Sequence, residues 1–238
     1  MPQNDLPTVI LPGLLCDGQM FGGQLRGLDQ AMVIGGHYGG ANRLPAMADY
    51  ALRQMPPRFV LMGHSMGARV ALEVWRRAPE RVAALVLADT GVHLPQPGER
   101  EKRMALLDLG RREGVGALVA EWLPPMIGPR HRDNRPLVAM LTEMCTSAGV
   151  ETYATQIEAL LHRPEVESLL PTIGCPALII TGSDDVWSPP AQHAAIAAAL
   201  PGSMLEVIEG AGHMLPAEMP DAFNAAVRTW LKAQGSVS

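Results

Sequence analysis

One serine in this sequence stands in a setting that could make its hydroxyl a nucleophile. Ser65 lies in the run GHSMG at positions 63–67, directly after the apolar residues 59–62 and directly before a helical pattern over residues 66–77. A tight strand–turn–helix junction holds such a serine above the sheet edge and at a helix N-terminus, where partial positive charge favours a developing anion. We therefore predict that Ser65 is a catalytic nucleophile, the alternative being a serine that only caps the helix.

The base that a serine hydroxyl needs is best supplied by His213. It stands in the glycine-rich run at positions 210–214, after an apolar run that ends at Ile208 and before the last helical pattern. A loop in that position can reach the carboxyl ends of the strands. His64 is adjacent to Ser65, but neighbouring side chains in a sharp turn point in different directions. His93, at the start of a helical segment, is a further candidate to face the pocket.

Two adjacent aspartates offer the carboxylate that would orient the histidine ring and stabilise its charged form. Asp184 and Asp185 follow the apolar run 177–180 after a short glycine-containing turn. We favour Asp185 and keep Asp184 as the second choice. Asp89, after the apolar run 84–88, is a weaker alternative.

The negative oxygen formed by attack on a carbonyl needs backbone N–H donors aimed at it. Met66, the residue after the nucleophile, is expected to supply one of them. The other is expected from the loop LPGLL at positions 11–15, with Leu14 as our choice and Leu15 as the second. Glycine and apolar residues suit this task because the main chain alone does it.

The elements that must position these residues are six short apolar runs separated by helical patterns. The runs are mostly apolar and do not alternate, which is typical of strands buried on both faces of a parallel sheet covered by helices. Strands that alternate with helices indicate βαβ units, so the sequence predicts an α/β fold with a mostly parallel sheet of about six strands flanked by helices. The predicted strands are 8–11, 31–34, 59–62, 84–88, 177–181 and 204–208, and the helical patterns cover 46–54, 66–77, 190–199 and 217–233.

The alternation breaks between residues 95 and 170, where the sequence shows helical patterns only. They cover residues 99–112, 115–122, 136–146 and 151–161. We predict a helical insertion over 95–170 in a core formed by residues 1–94 and 171–238. Methionine is unbranched and adaptable, so the methionines of the insertion are candidates to line an apolar pocket. They include Met104, Met126, Met140 and Met144.

Taken together, the motifs resemble those of the α/β-hydrolase fold family over nearly the whole chain. The matching pieces are LPGLL at 11–15, GHSMG at 63–67, GSDD at 182–185 and GH at 212–213. The order serine, aspartate, histidine is the order of that family. The resemblance implies that the acid lies three residues after a glycine, which supports Asp185, and that the insertion is a cap.

Two departures from the family pattern limit the resemblance. Proline at position 12 replaces the frequent histidine of the oxyanion loop, and the frequent arginine- and glycine-containing stretch after the second strand is missing. The first change leaves the backbone donor in place, while the second weakens assignment to the best-known subfamilies. A serine at position 65, where related enzymes use aspartate, argues against dehalogenase and epoxide hydrolase chemistry.

The resemblance implies a hydrolase that forms an acyl-enzyme, with a carboxylic ester as the default substrate. Thioester, lactone and carbon–carbon bond hydrolysis and cofactor-free perhydrolase chemistry use similar groups, and fold does not fix function. A non-catalytic ligand-binding protein is the alternative from a different class. A lyase of the hydroxynitrile type would need a basic residue in the pocket, and the sequence indicates none there.

Composition bounds the partners and the location of the protein. Its 238 residues are 47% hydrophobic and 18% charged with a net charge of −5, which is ordinary for a globular domain. Because no basic patch and no apolar run of about 18 residues occurs, we expect a small-molecule acyl substrate, no nucleic acid and no membrane. Residues 1–7 lack a signal-peptide pattern, so we expect a cytoplasmic location. The three cysteines have no metal-ligand or disulfide spacing, and we predict no metal and no cofactor. The sequence carries no indication of an oligomeric state.

Overall fold

A six-stranded parallel sheet forms the centre of the computed structural model, which describes residues 6–235. Neighbouring strands pair in the order β2-β1-β3-β4-β5-β6, and every pair is parallel. The strands are β1 Thr8–Leu11, β2 Met32–Val33, β3 Phe59–His64, β4 Val82–Ala88, β5 Ala177–Gly182 and β6 Met204–Ile208. The predicted α/β fold class and its six parallel strands are thereby confirmed. Residues 1–5, which belong to the segment without a signal-peptide pattern, lie outside the described residues.

The burial prediction is right for the inner strands and wrong for the two edges of the sheet. Every residue of β1, β3, β4 and β5 is buried. In β6, by contrast, Met204, Leu205 and Val207 are exposed, and both residues of β2 are half-buried. An edge strand has a neighbour on one side only, so an apolar run alone does not reveal how much of it is covered.

Ten helices accompany the sheet in the described part of the chain. They are α1 Gly22–Gly27, α2 Leu44–Leu52, α3 Met66–Arg77, α4 Glu99–Glu113, α5 Val115–Trp122, α6 Arg135–Ala148, α7 Val150–Leu161, α8 Pro190–Ala199, α9 Leu215–Glu218 and α10 Pro220–Ala233. The glycine-rich α1 was not predicted.

The single helix predicted over 217–233 is two helices, because the chain leaves helical geometry at Met219. This residue has φ −135° and ψ 60° and precedes Pro220. A proline ring disfavours helical geometry in the residue before it. Proline then fits the first turn of α10, where its missing N–H would have no helical partner.

Four helices, α4 to α7, lie between β4 and β5 in the chain, within the predicted insertion at 95–170. Their bounds differ from the predicted ones by at most a turn. The description of this segment as a cap separate from the core stays a prediction.

The parallel arrangement brings four loops to one edge of the sheet. Ser65 follows β3, Asp185 follows β5, His213 follows β6 and Leu14 follows β1. Because all strands run in the same direction, these carboxyl ends meet at one edge, where open α/β sheets bind ligands. The sheet topology therefore brings together the loops that carry Leu14, Ser65, Asp185 and His213, as the sequence suggested.

The cysteines form no disulfide within the described residues. Cys16, Cys145 and Cys175 carry free thiols, and the first two are buried. Burial raises the pKa of the Cys145 thiol to about 12.

Within residues 6–235, no helix is long and apolar enough to cross a bilayer.

Helix α3 packs so closely on β1 that a side chain has no room at Gly67. A Cβ there would collide with the carbonyl oxygen of Leu11, which is backbone and cannot turn away. We expect Gly67→Ala to lower the free energy of unfolding by about 1–3 kcal/mol, as overpacking does. The matched control is Gly116→Ala in α5, where a Cβ meets open space. There the higher helix propensity of alanine is expected to raise the free energy of unfolding by about 0.5–1 kcal/mol. Denaturant unfolding measures both, and equal effects of the two changes would contradict the close approach.

Candidate active site

The backbone at Ser65 is in a left-handed conformation that non-glycine residues rarely adopt. Its φ is 54° and its ψ is −117°. The Ser65 N–H donates to the carbonyl oxygen of Ala88 on β4 at 2.9 Å, and the Ser65 carbonyl accepts from Thr90 Oγ1 at 3.0 Å. These bonds hold the turn from both sides and direct the Ser65 side chain out of the sheet edge.

His213 is the histidine that the structure places against Ser65. Its Nε2 lies 2.9 Å from Ser65 Oγ. The main chain at His213 is also held, since its N–H donates to the carbonyl of Met126 at 2.9 Å and its carbonyl accepts from His64 Nε2 at 2.8 Å. His64 thus contacts the backbone of His213 and not the serine hydroxyl.

Asp185, and not Asp184, contacts the other ring nitrogen of His213. The distance from Asp185 Oδ2 to His213 Nδ1 is 2.8 Å. The N–H groups of Trp187 and Ser188 both donate to Asp185 Oδ1 at 2.9 Å, and Ser188 Oγ donates to Oδ2 at 2.8 Å. Asp184 instead accepts from the hydroxyl of Ser183 at 3.2 Å. Sequence reasoning missed Ser188, although an aspartate followed three residues later by serine is a turn pattern that could have revealed it.

The electrostatics of this group keep Asp185 ionised. Burial raises the pKa of the carboxyl, but the nearby His213 and the hydrogen bonds from His213 and Ser188 outweigh it and lower the pKa to about 2. A carboxylate that receives several N–H and O–H donors is stabilised in its charged form. Asp185 therefore presents a negative charge to His213 at neutral pH.

Asp89 and His64 form a second buried pair behind the first. Burial, followed by the charge of Asp185, raises the pKa of Asp89 well above its usual value. Burial, followed by the charge of His213, lowers the pKa of His64 to about 3. His64 is therefore neutral at neutral pH, and Asp89 makes no contact with the ring of His213 among the described hydrogen bonds.

Leu14 and Met66 present N–H groups with no acceptor in the described part of the chain. Met66 is the first residue of α3, so its N–H has no helical partner. Leu15, the alternative donor, has its N–H occupied by Gln156 Oε1 at 2.8 Å. Gln156 comes from α7, and its Nε2 donates to the carbonyl of Gly36 at 2.9 Å. Because Gln156 occupies the N–H of Leu15, Leu14 is favoured as the donor from this loop. The sequence analysis did not identify this contribution of Gln156.

A cavity of about 280 Å³ opens above Ser65 and is lined by residues of both the sheet edge and the insertion. His93 lines it, as considered from the sequence, and so does Met126. Met104, Met140 and Met144 are not among its lining residues. The expectation that no basic residue lies in the pocket is wrong, since Arg69, Lys102, Arg103 and Arg163 line it. These residues are far from Ser65 in sequence or lie in helical patterns, so only the fold reveals that they line the same cavity.

Comparison with known proteins places the chain in a family. The model of the "Alpha/beta hydrolase family" matches residues 24–226. The chain belongs to the alpha/beta hydrolase family. The predicted family is thereby confirmed, and the match includes the loops that carry Ser65, Asp185 and His213.

Individual relatives of this alpha/beta hydrolase support hydrolase activity. A protein of Klebsiella pneumoniae, provisionally named carbamate hydrolase RutD, is 29% identical, and the match covers 98% of this chain and 94% of that protein. A Bacillus subtilis protein, provisionally named 2-succinyl-6-hydroxy-2,4-cyclohexadiene-1-carboxylate synthase, is 31% identical over 72% of this chain and 65% of its own length. The malate-bound structure of a thermophilic esterase from Thermogutta terrifontis superposes with a TM-score of 0.84 at 30% identity, covering 97% of this chain and 91% of the other.

The loop that carries His213 in this alpha/beta hydrolase is fastened by the buried carboxylate of Glu218. Gly212 N–H donates to Glu218 Oε2 at 2.8 Å and Met214 N–H donates to Oε1 at 3.0 Å, so the bonds hold both neighbours of the histidine. Gly128 N–H from the insertion donates to Oε2 at 3.2 Å. Sequence reasoning missed Glu218. Its position at the start of an apolar helical pattern was a signal, because a glutamate is unusual there.

We expect Glu218→Gln to loosen this loop, because an amide replaces one of two acceptor oxygens that face backbone N–H groups. The unfolding free energy is expected to fall by about 1–3 kcal/mol, and kcat by about 10-fold or more, since small displacements of reacting groups are costly. Glu209→Gln, at an exposed glutamate paired with Arg130, is the control and is expected to change stability by less than about 0.5 kcal/mol. Wild-type stability and turnover in the Glu218 variant would contradict the fastening role.

Proposed function

We propose that this protein is a serine hydrolase that cleaves a carboxylic ester or a related acyl bond of a small molecule. The proposal rests on one observation above all, the unbroken path from Ser65 Oγ to His213 Nε2 at 2.9 Å and from His213 Nδ1 to Asp185 Oδ2 at 2.8 Å. Nucleophile, base and orienting acid in mutual hydrogen-bond contact are the arrangement that activates a serine hydroxyl.

In the proposed reaction, Ser65 Oγ attacks the carbonyl carbon of the substrate while His213 Nε2 takes the hydroxyl proton. Asp185 holds the ring and stabilises the positive charge that forms on it. The N–H groups of Leu14 and Met66 stabilise the oxyanion, each being worth about 3 kcal/mol of barrier in comparable sites. His213 then gives the proton to the leaving group. A water molecule, deprotonated by His213, attacks the acyl-enzyme and releases the acid and Ser65.

An ester is the first choice of substrate, and the esterase at 30% identity supports it. Within the proposal, the helices of 95–170 act as a cap whose lining residues select the substrate. Lactones, thioesters, the carbon–carbon bonds of diketones and perhydrolysis use the same groups, so a substrate panel with these classes decides among them. Pocket shape and charge set such preferences, and fold alone does not.

A second candidate is a synthase-type reaction on the same residues, which the Bacillus subtilis relative at 31% identity favours. If His213 and Ser65 acted only in proton transfer, the enzyme would form no acyl intermediate. Rapid mixing with p-nitrophenyl acetate tests the difference, because acylation releases p-nitrophenol in a burst that a proton-transfer site does not produce.

A ligand-binding protein without catalysis is the candidate from a different class. It would hold molecules in the cavity and leave Ser65 unreactive. Labelling with a fluorophosphonate, followed by mass spectrometry of the Ser65 peptide, separates the two classes. Modification of Ser65 supports the enzyme, and an unmodified serine in folded protein supports the binder.

Removal of the Ser65 hydroxyl is expected to abolish the p-nitrophenyl acetate burst and to lower kcat by more than about 10³-fold. Ser65→Ala deletes one oxygen at a half-buried position that lines the cavity, so circular dichroism and the unfolding midpoint are expected to stay close to those of the wild type. The matched control is Ser168→Ala, at an exposed serine that bonds Glu165. Undiminished turnover in the Ser65 variant would overturn the assignment.

The two aspartates are expected to respond differently to the same change. Asp185→Asn places a neutral amide against His213 Nδ1 and is expected to lower kcat by about 10³- to 10⁴-fold, because the ring loses its orienting charge. Asp184→Asn, which touches Ser183, is expected to stay within about twofold, as for a surface change. Steady-state kinetics on one activated ester measure both, and a larger loss for Asp184 would reverse the assignment.

A further inference from the structure

The cavity above Ser65 carries an excess of positive charge. Its lining includes four basic side chains, Arg69, Lys102, Arg103 and Arg163. The acidic residues of the lining are Glu99 and Asp89, and burial raises the pKa of Asp89 and so disfavours its charged form. The protein as a whole is negative, with a net charge of −5, so this concentration of cations is local.

Glu99 is fully engaged by two of these cations. Its oxygens accept from Arg163 Nη1 at 2.6 Å and from Arg163 Nη2 at 2.8 Å, in a two-pronged contact. Arg103 Nη2 also reaches Glu99 Oε1 at 2.9 Å. Burial raises the pKa of Glu99, but its bonds to Arg163 and the backbone and the charge of Arg103 lower it to about 2. One carboxylate therefore serves two guanidinium groups and leaves none for Arg69.

Arg69 is the cation without a direct ion pair, since Glu99 and Glu167 act on its charge without contacting it. It is 6% exposed, and it forms no salt bridge within the described part of the chain. Its Nη2 donates to the carbonyl of His93 at 3.1 Å, and Arg163 Nε donates to the same oxygen at 2.9 Å. Its Nη1 is enclosed and has no hydrogen-bond partner among the described residues. A buried guanidinium left in this way is unfavourable unless an anion joins it.

The charge of Arg69 also persists at neutral pH. Burial, followed by the neighbouring charge of Arg163, lowers the pKa of its guanidinium to about 9. The group is therefore protonated at pH 7, and it sits in surroundings of low dielectric constant. Charges interact more strongly there than in water.

The position of Arg69 ties this charge to the reaction site. It lies in the first turn of α3, four residues after Ser65, which immediately precedes the helix. Both residues line the same cavity. A molecule that reaches the hydroxyl of Ser65 through this cavity therefore comes within the field of Arg69.

We propose that the acyl substrate of this enzyme carries a carboxylate and that Arg69 is the residue that selects it. The inference rests on the proposed hydrolase function and specifies its substrate class. A carboxylate offers paired oxygens that match the planar donor set of a guanidinium. It also supplies the negative charge that the lining lacks, with Arg103 and Lys102 adding to the attraction. An uncharged ester of the same size would leave Arg69 without a counter-ion.

A matched pair of esters tests the selection. The acyl-side pair is mono-p-nitrophenyl adipate and p-nitrophenyl hexanoate, which have the same chain length and differ in a terminal carboxylate or methyl group. The leaving-group pair is 4-acetoxybenzoate and phenyl acetate. We expect kcat/KM to favour the anionic ester of at least one pair by about 10-fold or more, as for a charged hydrogen bond. The pair that responds shows on which side of the scissile bond the carboxylate is bound.

Variants of Arg69 assign the selection to this side chain. Arg69→Gln is expected to lower the ratio of anionic to neutral kcat/KM by about 10- to 100-fold, and Arg69→Lys, which keeps the charge, by less. Arg112→Gln makes the same change of net charge at an exposed arginine that is not part of the cavity lining, and is expected to leave the ratio unchanged. If Arg69→Gln does not fold, the lysine variant and inhibition of the wild type test whether Arg69 selects the carboxylate. Glutarate is then expected to inhibit hexanoate hydrolysis competitively, and glutaramide to inhibit it at least about 10-fold less.

The outcomes separate this inference from the proposed function. If the wild type hydrolyses the neutral esters through Ser65 but shows no preference for either anionic ester and no inhibition by glutarate, the carboxylate selection is wrong and the hydrolase stands. A preference that Arg69→Gln and Arg69→Lys leave intact overturns the role of Arg69. If no ester is cleaved and Ser65 resists fluorophosphonate, the proposed function itself fails.

Discussion

The strained turn at Ser65 is the constraint on which the remaining geometry depends. A non-glycine residue at φ 54° is unfavourable by about 1–3 kcal/mol, and the surrounding backbone has to hold it there. The bond from Ser65 N–H to Ala88 on β4 does so from one side, and the packing of α3 at Gly63 and Gly67 does so from the other. Since β3, β4 and β1 are adjacent strands, the sheet itself fixes the direction of the hydroxyl. Every other group of the site is placed relative to that oxygen.

Three aspartates were candidates to contact His213, and their surroundings differ. Asp185 receives donors from Trp187, Ser188 and His213, and its carboxylate stays ionised despite burial. Asp89 is equally buried but receives only one backbone N–H, from Gly182, and a side-chain bond from Thr181, so burial raises its pKa well above the usual value. Asp184 is half-exposed and faces Ser183. Asp185 therefore differs from Asp89 by the number of donors that its carboxylate receives, and from Asp184 by its contact with His213.

The sequence predicted those parts of the molecule that local patterns encode. Each strand of this sheet is a short, mostly apolar run between turns and helical patterns, so all six could be recognised, and α3, α5 and α8 were placed to the residue. The motifs around Ser65 and His213 combine glycine, a neighbouring strand and a following helix, which are also local signals. Burial at the sheet edge was not predictable, because the exposure of β6 depends on which strand is last. The interruption at Met219 was a missed local signal, since the following proline announces it.

What local patterns could not predict is how far the insertion takes part in the site. Gln156 occupies the N–H of Leu15, so a side chain from α7 leaves Leu14 as the free donor of the first loop. The carbonyl of Met126 holds the main chain of His213, and Gly128 shares the carboxylate of Glu218 with the histidine loop. These contacts join residues about 90 to 140 positions apart, and no periodicity in the sequence relates them. The helices between β4 and β5 therefore do more than cover a pocket. A change that shifts this segment therefore also acts on the main chain of His213 and on the loop of Leu14 and Leu15.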